Sequence, residues 1–324
     1  MTSPATDLAS TGAAPATLAV TKGHGTQNDF VLLDDRDGAL ELTDSLVRAL
    51  ADRRAGVGGD GVIRLVASAA LPDGAPSLAQ DPRAQWFMDY RNGDGSIAEM
   101  CGNGVRVFAA YLVSLQLWDP AEGDLVIGTR AGVRHVRREA APGAPGGVWY
   151  AVDMGTWTLP GGAAAQAAGF DAEVVVSGLE VARPALSVDV GNPHTVLALA
   201  GEGELEAVDL TRAPAVAPQP PHGTNVELVV PLGESTAPDG TIVGRVRMRV
   251  HERGVGETRS CGTGACAAAL AVRTWAGAGA PDVWLVDVPG GTVRVRLLDG
   301  GRVELAGPAV LIAHAEVDLA ALGG

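Results

Sequence analysis

The chain has 324 residues, 47% hydrophobic and 19% charged, with a net charge of −14. That length provides for about two domains, each able to bury its own core. The acidic balance argues against nucleic acid or an anionic membrane surface as partner, and no run of eighteen uncharged apolar residues could span a membrane.

Residues 1–17 are rich in Ser, Thr, Ala and Pro and lack the basic and apolar regions of an export signal. They are expected to form a disordered tail on a cytoplasmic protein. Asn28-Asp29-Phe30-Val31-Leu32 reads as a strand. A helix is predicted from Asp44 to Asp52, capped by Thr43, with Leu46, Val47 and Leu50 as its apolar face. The alanine-rich stretches Val105 to Leu115 and Ala265 to Trp275 predict two more, and Asn192-Pro193-His194-Thr195-Val196-Leu197 a second asparagine-led strand. Arg245 to Val250 and Thr292 to Leu297 alternate with period two, as half-buried antiparallel strands whose arginines face solvent. Loops are expected at Leu71–Arg83, Ala140–Gly147, Pro160–Ala168, Ala213–His222 and Pro231–Gly240, all rich in Pro, Gly and Ala. Many strands around few helices, without regular βαβ alternation or a Gly-x-Gly-x-x-Gly loop, indicate an α+β fold.

Two segments echo each other: Cys101-Gly102-Asn103-Gly104 and Cys261-Gly262-Thr263-Gly264, each running into one of the alanine-rich helices. A cysteine at a helix N-terminus meets free N–H groups and the positive end of the dipole, which is expected to pull its pKa toward neutrality. Cys266 lies inside the second helix among alanines and reads as a buried structural thiol. Three cysteines without Cys-x-x-Cys spacing suggest neither a disulfide framework nor a metal site, and the six histidines show no ligand spacing. The repeat extends backward, since Asn28 precedes Cys101 and Asn192 precedes Cys261 by similar distances. Each half is therefore asparagine-led strand first and cysteine-led helix last. The boundary is expected near Gly128 to Gly132, with residues 18–130 as one half, completed by the C-terminal strand at 308–324, and residues 131–307 as the other.

Two opposed thiols suit inversion of a stereocentre bearing an acidic C–H, one removing a proton from one face while the other delivers a proton to the opposite face. Lys22 is the only lysine available to tether pyridoxal phosphate, so a route without cofactor or metal is expected. N–H groups of Gly102, Asn103, Gly262 and Thr263 could then hold a substrate carboxylate and stabilise the charge developing on it. Further polar segments, Gly23-His24-Gly25-Thr26-Gln27-Asn28-Asp29, Asn92-Gly93-Asp94-Gly95-Ser96, Gly191-Asn192-Pro193-His194, Gly223-Thr224-Asn225 and His251-Glu252-Arg253-Gly254, supply amides and one Glu-Arg pair. That set fits a substrate with several ammonium and carboxylate groups.

Together these residues resemble the diaminopimelate epimerase family from about Leu18 to the end. The resemblance rests on the Asn92 segment nine residues before Cys101, on Gly191-Asn192-Pro193-His194, and on Glu252-Arg253-Gly254-Val255-Gly256-Glu257-Thr258 followed by Cys261-Gly262-Thr263-Gly264-Ala265-Cys266. It implies a cofactor-independent isomerase interconverting LL- and meso-diaminopimelate for lysine and peptidoglycan synthesis. Cys101 and Cys261 would be the acid/base thiols, assisted by His194 and Glu252. Substrate contacts would fall to Asn28, Asn92, Gly102, Asn103, Asn192, Asn225, Glu252, Arg253, Gly262 and Thr263. It further implies two pseudo-symmetric halves, each a mixed sheet around a central helix, and a homodimer. One departure stands out: Gly61 occupies the place of a glutamine that can touch substrate in many members. A proline-racemase-like enzyme and a redox-sensing binding protein with a Cys101–Cys261 disulfide are the alternatives.

Overall fold

Strand pairing repeats itself along the chain in the computed structural model, which describes residues 17–141 and 143–322. From Thr17–Gly25 the sheet passes to Asn28–Asp34 antiparallel, Gly61–Ala67 parallel, Trp86–Asn92 antiparallel and Leu125–Gly128 parallel. It then reaches Arg134–Ala140 and Val148–Thr156, both antiparallel. From Arg183–Asp189 the same alternation recurs: Pro193–Ala198 antiparallel, Asn225–Thr236 parallel, Ile242–Glu252 antiparallel, Val283–Val288 parallel. Gly291–Leu298 and Arg302–Gly307 follow, both antiparallel. The two runs join edge to edge where Val148–Thr156 pairs with Arg302–Gly307. The first carries one added strand, Val310–Asp318 beside Thr17–Gly25, and the second carries three, Ala172–Val175 beside Arg183–Asp189, Ala215–Ala217 beside Ala172–Val175, and Gly256–Thr258 beside Ile242–Glu252. The result is an α+β molecule of two pseudo-symmetric halves.

Each half wraps its mixed sheet around one helix, Gly102–Ser114 in the first and Gly262–Ala276 in the second. Both helices are apolar on nearly every face, which suits a central position. Val105, Val107, Phe108 and Leu112 are fully buried in one, and Ala267 to Ala271 in the other. Small residues along the second helix let its sheet close tightly, and one apolar core runs through both halves.

At the expected boundary, Gly128 to Gly132, the chain turns between two paired strands. Thr129 and Gly132 exchange backbone hydrogen bonds and Gly132 takes a positive φ of 88°, so these glycines form a hairpin turn within the first half. The repeat divides after Thr156. Residues 1–16 of the expected tail lie outside the described residues, while Thr17 pairs with Asp318. The helix at Asp44–Ala51 is capped by Thr43, whose hydroxyl accepts from Leu46 N–H at 3.2 Å.

Several expected loops carry regular structure. Gly162–Ala168 is helical because its alanines favour helix more strongly than the flanking Pro and Gly oppose it, and Ala75–Gln80 is a helix with proline in its first turn, where no N–H is needed. Ala215–Ala217 forms a short strand. The strand from Asn225 continues through Pro231 to Thr236, tolerating proline at an irregularity in the register.

Candidate active site

Cys101 and Cys261 are the N-cap residues of the two central helices. Each sulfur accepts a backbone N–H from three residues on, Gly104 at 3.5 Å and Gly264 at 3.3 Å. The glycines after them are dictated by proximity of the helix ends. A Cβ on Gly102 would lie 3.0 Å from Leu305 Cδ2 and 2.9 Å from Met154 Cε. One on Gly262 would lie 3.0 Å from the same Leu305 atom and 3.2 Å from Asn103 Oδ1. The two N-termini thus converge on one leucine and on each other.

Asn103 bridges the halves. Its Nδ2 donates to the Ser260 carbonyl at 3.0 Å, to the Ser260 hydroxyl at 3.2 Å and to Asn28 Oδ1 at 3.1 Å, while its Oδ1 accepts from Arg106 at 2.5 Å. Asn28 is oriented by chemistry: its Nδ2 donates to the Asp60 carboxylate at 2.6 Å, so its Oδ1 faces the Cys101 thiol at 3.5 Å. Arg53 holds Asp60 in turn, at 2.6 Å. The hairpin tip before Asn28 places Thr26 and Gln27 at positive φ, 50° and 65°. Contacts with the opposite half secure this conformation, Thr26 with the Ser260 hydroxyl at 2.6 Å and Gln27 with Arg259.

In the second half, His194 Nδ1 lies 2.7 Å from Glu227 Oε1 and its Nε2 lies 3.0 Å from Asn192 Oδ1. Asn225 spends both ends of its amide on backbone, accepting from Arg253 N–H at 3.0 Å and donating to the Pro193 carbonyl at 3.1 Å. It therefore ties the His194 strand to the Glu252-Arg253 turn. Glu252 accepts from the Thr258 hydroxyl, and the exposed Arg253 guanidinium rests on the His222 carbonyl at 2.6 Å. Asn92 pairs with Gly61 on the adjacent strand and donates to the Ser96 hydroxyl at 3.0 Å.

A family model described as Diaminopimelate epimerase matches residues 20–159 and 186–312. The chain belongs to the diaminopimelate epimerase family. It is 46% identical over 316 residues to a diaminopimelate epimerase of Streptomyces coelicolor, covering 95% of this chain and 98% of that one. To one of Rhodococcus opacus it is 47% identical over 304 residues, covering 92% and 96%. Among solved structures, a phenazine biosynthesis protein from Bacillus anthracis matches with a TM-score of 0.60 at 16% identity, covering 93% of this chain and 99% of that one. A hydroxyproline epimerase from Agrobacterium vitis matches with 0.55 at 15%, covering 94% and 91%. At such identities these two share the fold alone.

The thiols of this family member do not have the lowered pKa expected from their helix positions. Burial pushes Cys101 up to about 11, and the Glu252 carboxylate adds to the rise, against the pull of the Gly104 and Asn103 N–H groups and the Arg106 charge. Cys261 is pushed well above the ordinary range by burial first, then by Glu252 and Glu227. The helix ends act in the expected direction, but desolvation outweighs them. Glu252 is itself raised by burial and by the Glu227 carboxylate, with the Thr258 hydroxyl and the His194 charge opposing.

Gly61, the departure from the family pattern, has a steric cause. A Cβ there would lie 2.4 Å from the Arg91 carbonyl and 2.7 Å from the Tyr90 ring, which fills the space a longer side chain would take. Among the described residues no group of three or more His, Cys, Asp or Glu is placed to hold a metal ion. The sequence reading missed Asp60, Arg106, Glu227 and Ser260. Arg106 and Glu227 left a signal, as single charges inside apolar runs of a helix and a strand. Ser260 left none, because its partnership with Thr26 spans 234 residues.

Proposed function

We propose that this chain interconverts LL- and meso-2,6-diaminopimelate without a bound cofactor, with Cys101 and Cys261 as the paired acid and base. The observation carrying this reading is the convergence of two cysteine-capped helix ends, one from each half, on Leu305, with Asn103 bridging them. A thiolate on one side takes the α-proton while the thiol on the other side gives its proton to the opposite face. The stereocentre inverts, the first sulfur now carries the former α-proton, and the second is left as thiolate. Charge developing on the α-carboxylate is met by first-turn N–H groups of Gly102, Asn103, Gly262 and Thr263. High thiol pKa values suit the task, since a strongly basic thiolate is needed against a weakly acidic C–H, and the substrate ammonium brings positive charge to form it.

His194 and Glu252 assist from the second half, Glu252 as the acceptor for an ammonium. Asn92, Asn192 and Arg253 meet the polar ends of the substrate, and Asn28 and Asn225 align the thiol and the Glu-Arg turn. The same family reading makes the enzyme a cytoplasmic homodimer, and sedimentation of the purified protein measures the assembly.

Deuterium incorporation at the α-carbon of LL-diaminopimelate in D₂O tests the mechanism. Reduced wild type, without pyridoxal phosphate, should exchange and form the meso isomer, while Cys101→Ala and Cys261→Ala should form it about 10²- to 10⁴-fold more slowly. A folded, reduced wild type that leaves the α-proton in place defeats the reading.

A further inference from the structure

Glu227 is a fully buried acid within the apolar run Val226 to Val230, two residues beyond Asn225 and so on the same side of its strand. Its Oε1 lies 2.7 Å from His194 Nδ1, with neither side chain exposed, and its Oε2 has no hydrogen-bond partner among the described residues. On the other side of the ring, Nε2 faces Asn192 Oδ1 at 3.0 Å. With an oxygen facing each nitrogen, the surroundings suit a ring that donates from both. An imidazolium paired with a carboxylate meets these contacts with no net charge. Burial makes either charge costly alone and the hydrogen-bonded pair tolerable.

The pair stands beside a reacting thiol. A Cβ on Gly264 would lie 2.7 Å from Glu227 Oε1 and 3.2 Å from Cys261 Sγ, so carboxylate and thiol are neighbours across a position that only glycine leaves open. We propose that Glu227 is a positioning residue for epimerisation, fixing the His194 ring and keeping it positively charged in the cleft next to Cys261 and Glu252. This rests on the function proposed above, in which His194 assists the proton transfers.

The test is a long-range ¹H–¹⁵N spectrum of full-length protein labelled at histidine, at pH 7.5, with His194 identified from its loss in His194→Gln. Wild type should show both His194 nitrogens protonated. Glu227→Gln keeps the volume and an acceptor for Nδ1 but removes the charge. It should show a neutral ring with one bare nitrogen, and a kcat lowered about 100-fold at nearly constant KM. Glu227→Asp should restore the charged ring and part of kcat. If the glutamine variant does not fold, the wild-type and aspartate spectra decide. A neutral His194 in wild type, a charged ring surviving in Glu227→Gln, or an undiminished kcat there would overturn the proposal. Wild type inactive on diaminopimelate would instead defeat the epimerase reading, leaving the ring's charge to be judged by the spectrum.

Discussion

The Cys101 and Cys261 helices begin with one frame and diverge within two turns. Asn103 corresponds to Thr263, and Arg106 to Cys266. Asn103 reaches across to Ser260 in the other half, whereas Thr263 stays with its own thiol, 3.5 Å from Cys261 Sγ. Arg106 is wholly buried with no carboxylate partner among the described residues. It donates to Thr26 at 3.2 Å and to Asn103 at 2.5 Å, while its Nε and Nη1 have no partner. Burial lowers its pKa to about 10, and raises that of Cys266 to about 12. The shared frame places two equivalent thiols, and the departures supply an unequal support, with the cation on the Cys101 side and two carboxylates pressing on Cys261.

The sharpest test of the equivalence is removal of each thiol. Cys101→Ala and Cys261→Ala should each lower the rate of meso formation about 10²- to 10⁴-fold, measured from LL-diaminopimelate by chiral separation. A variant keeping a tenth of wild-type activity would show that one side needs no thiol, and the comparison would fail.

Unequal support should show next in alkylation of the substrate-free enzyme by iodoacetamide, followed peptide by peptide. A group raised from 9.0 to about 11 carries about 100-fold less thiolate near neutrality, so Cys101 should react slowly at pH 7.5. Its rate should climb about tenfold per pH unit until the pH approaches its pKa, because deprotonation makes the nucleophile. Cys261, facing both Glu252 and Glu227, should lag behind Cys101 at every pH. Equal rates would mean that the carboxylates and Arg106 do not distinguish the two sides.

Much of this was legible in the sequence, and the illegible part has a physical pattern. The cysteine frames could be read because glycine beside a reactive residue at a helix start has few other uses, and the asparagine-led strands because the repeat carries them. The thiol pKa direction could not, since sequence shows a helix terminus but not the burial that outweighs it. The roles of Ser260, Thr26 and Asp60 depend on contacts between segments far apart in the chain, such as Asn28 with Asp60 and Thr26 with Ser260. The turn at Gly128 to Gly132 was not legible either, because a hairpin turn and a linker have the same composition.

Position 103 against 263 gives a smaller, thermodynamic effect. Asn103→Ala strands the Ser260 carbonyl and the Arg106 guanidinium in the interior, and should cost about 2–3 kcal/mol in urea unfolding. Thr263→Ala loses only a long contact with its own thiol and should cost under about 1 kcal/mol. Similar losses for both would show that Asn103 does not latch the halves.

The smallest effect belongs to Cys266, which shares a frame position with Arg106 but none of its hydrogen bonds. It is buried within an alanine-rich helix and its thiol meets no polar partner among the described residues. Cys266→Ala removes one sulfur from the core, so stability should fall by about 1 kcal/mol while kcat stays within about twofold. If kcat fell as far as it does in Cys101→Ala, the third thiol would belong to the proton path. The second helix would then carry two reactive groups to the first helix's one.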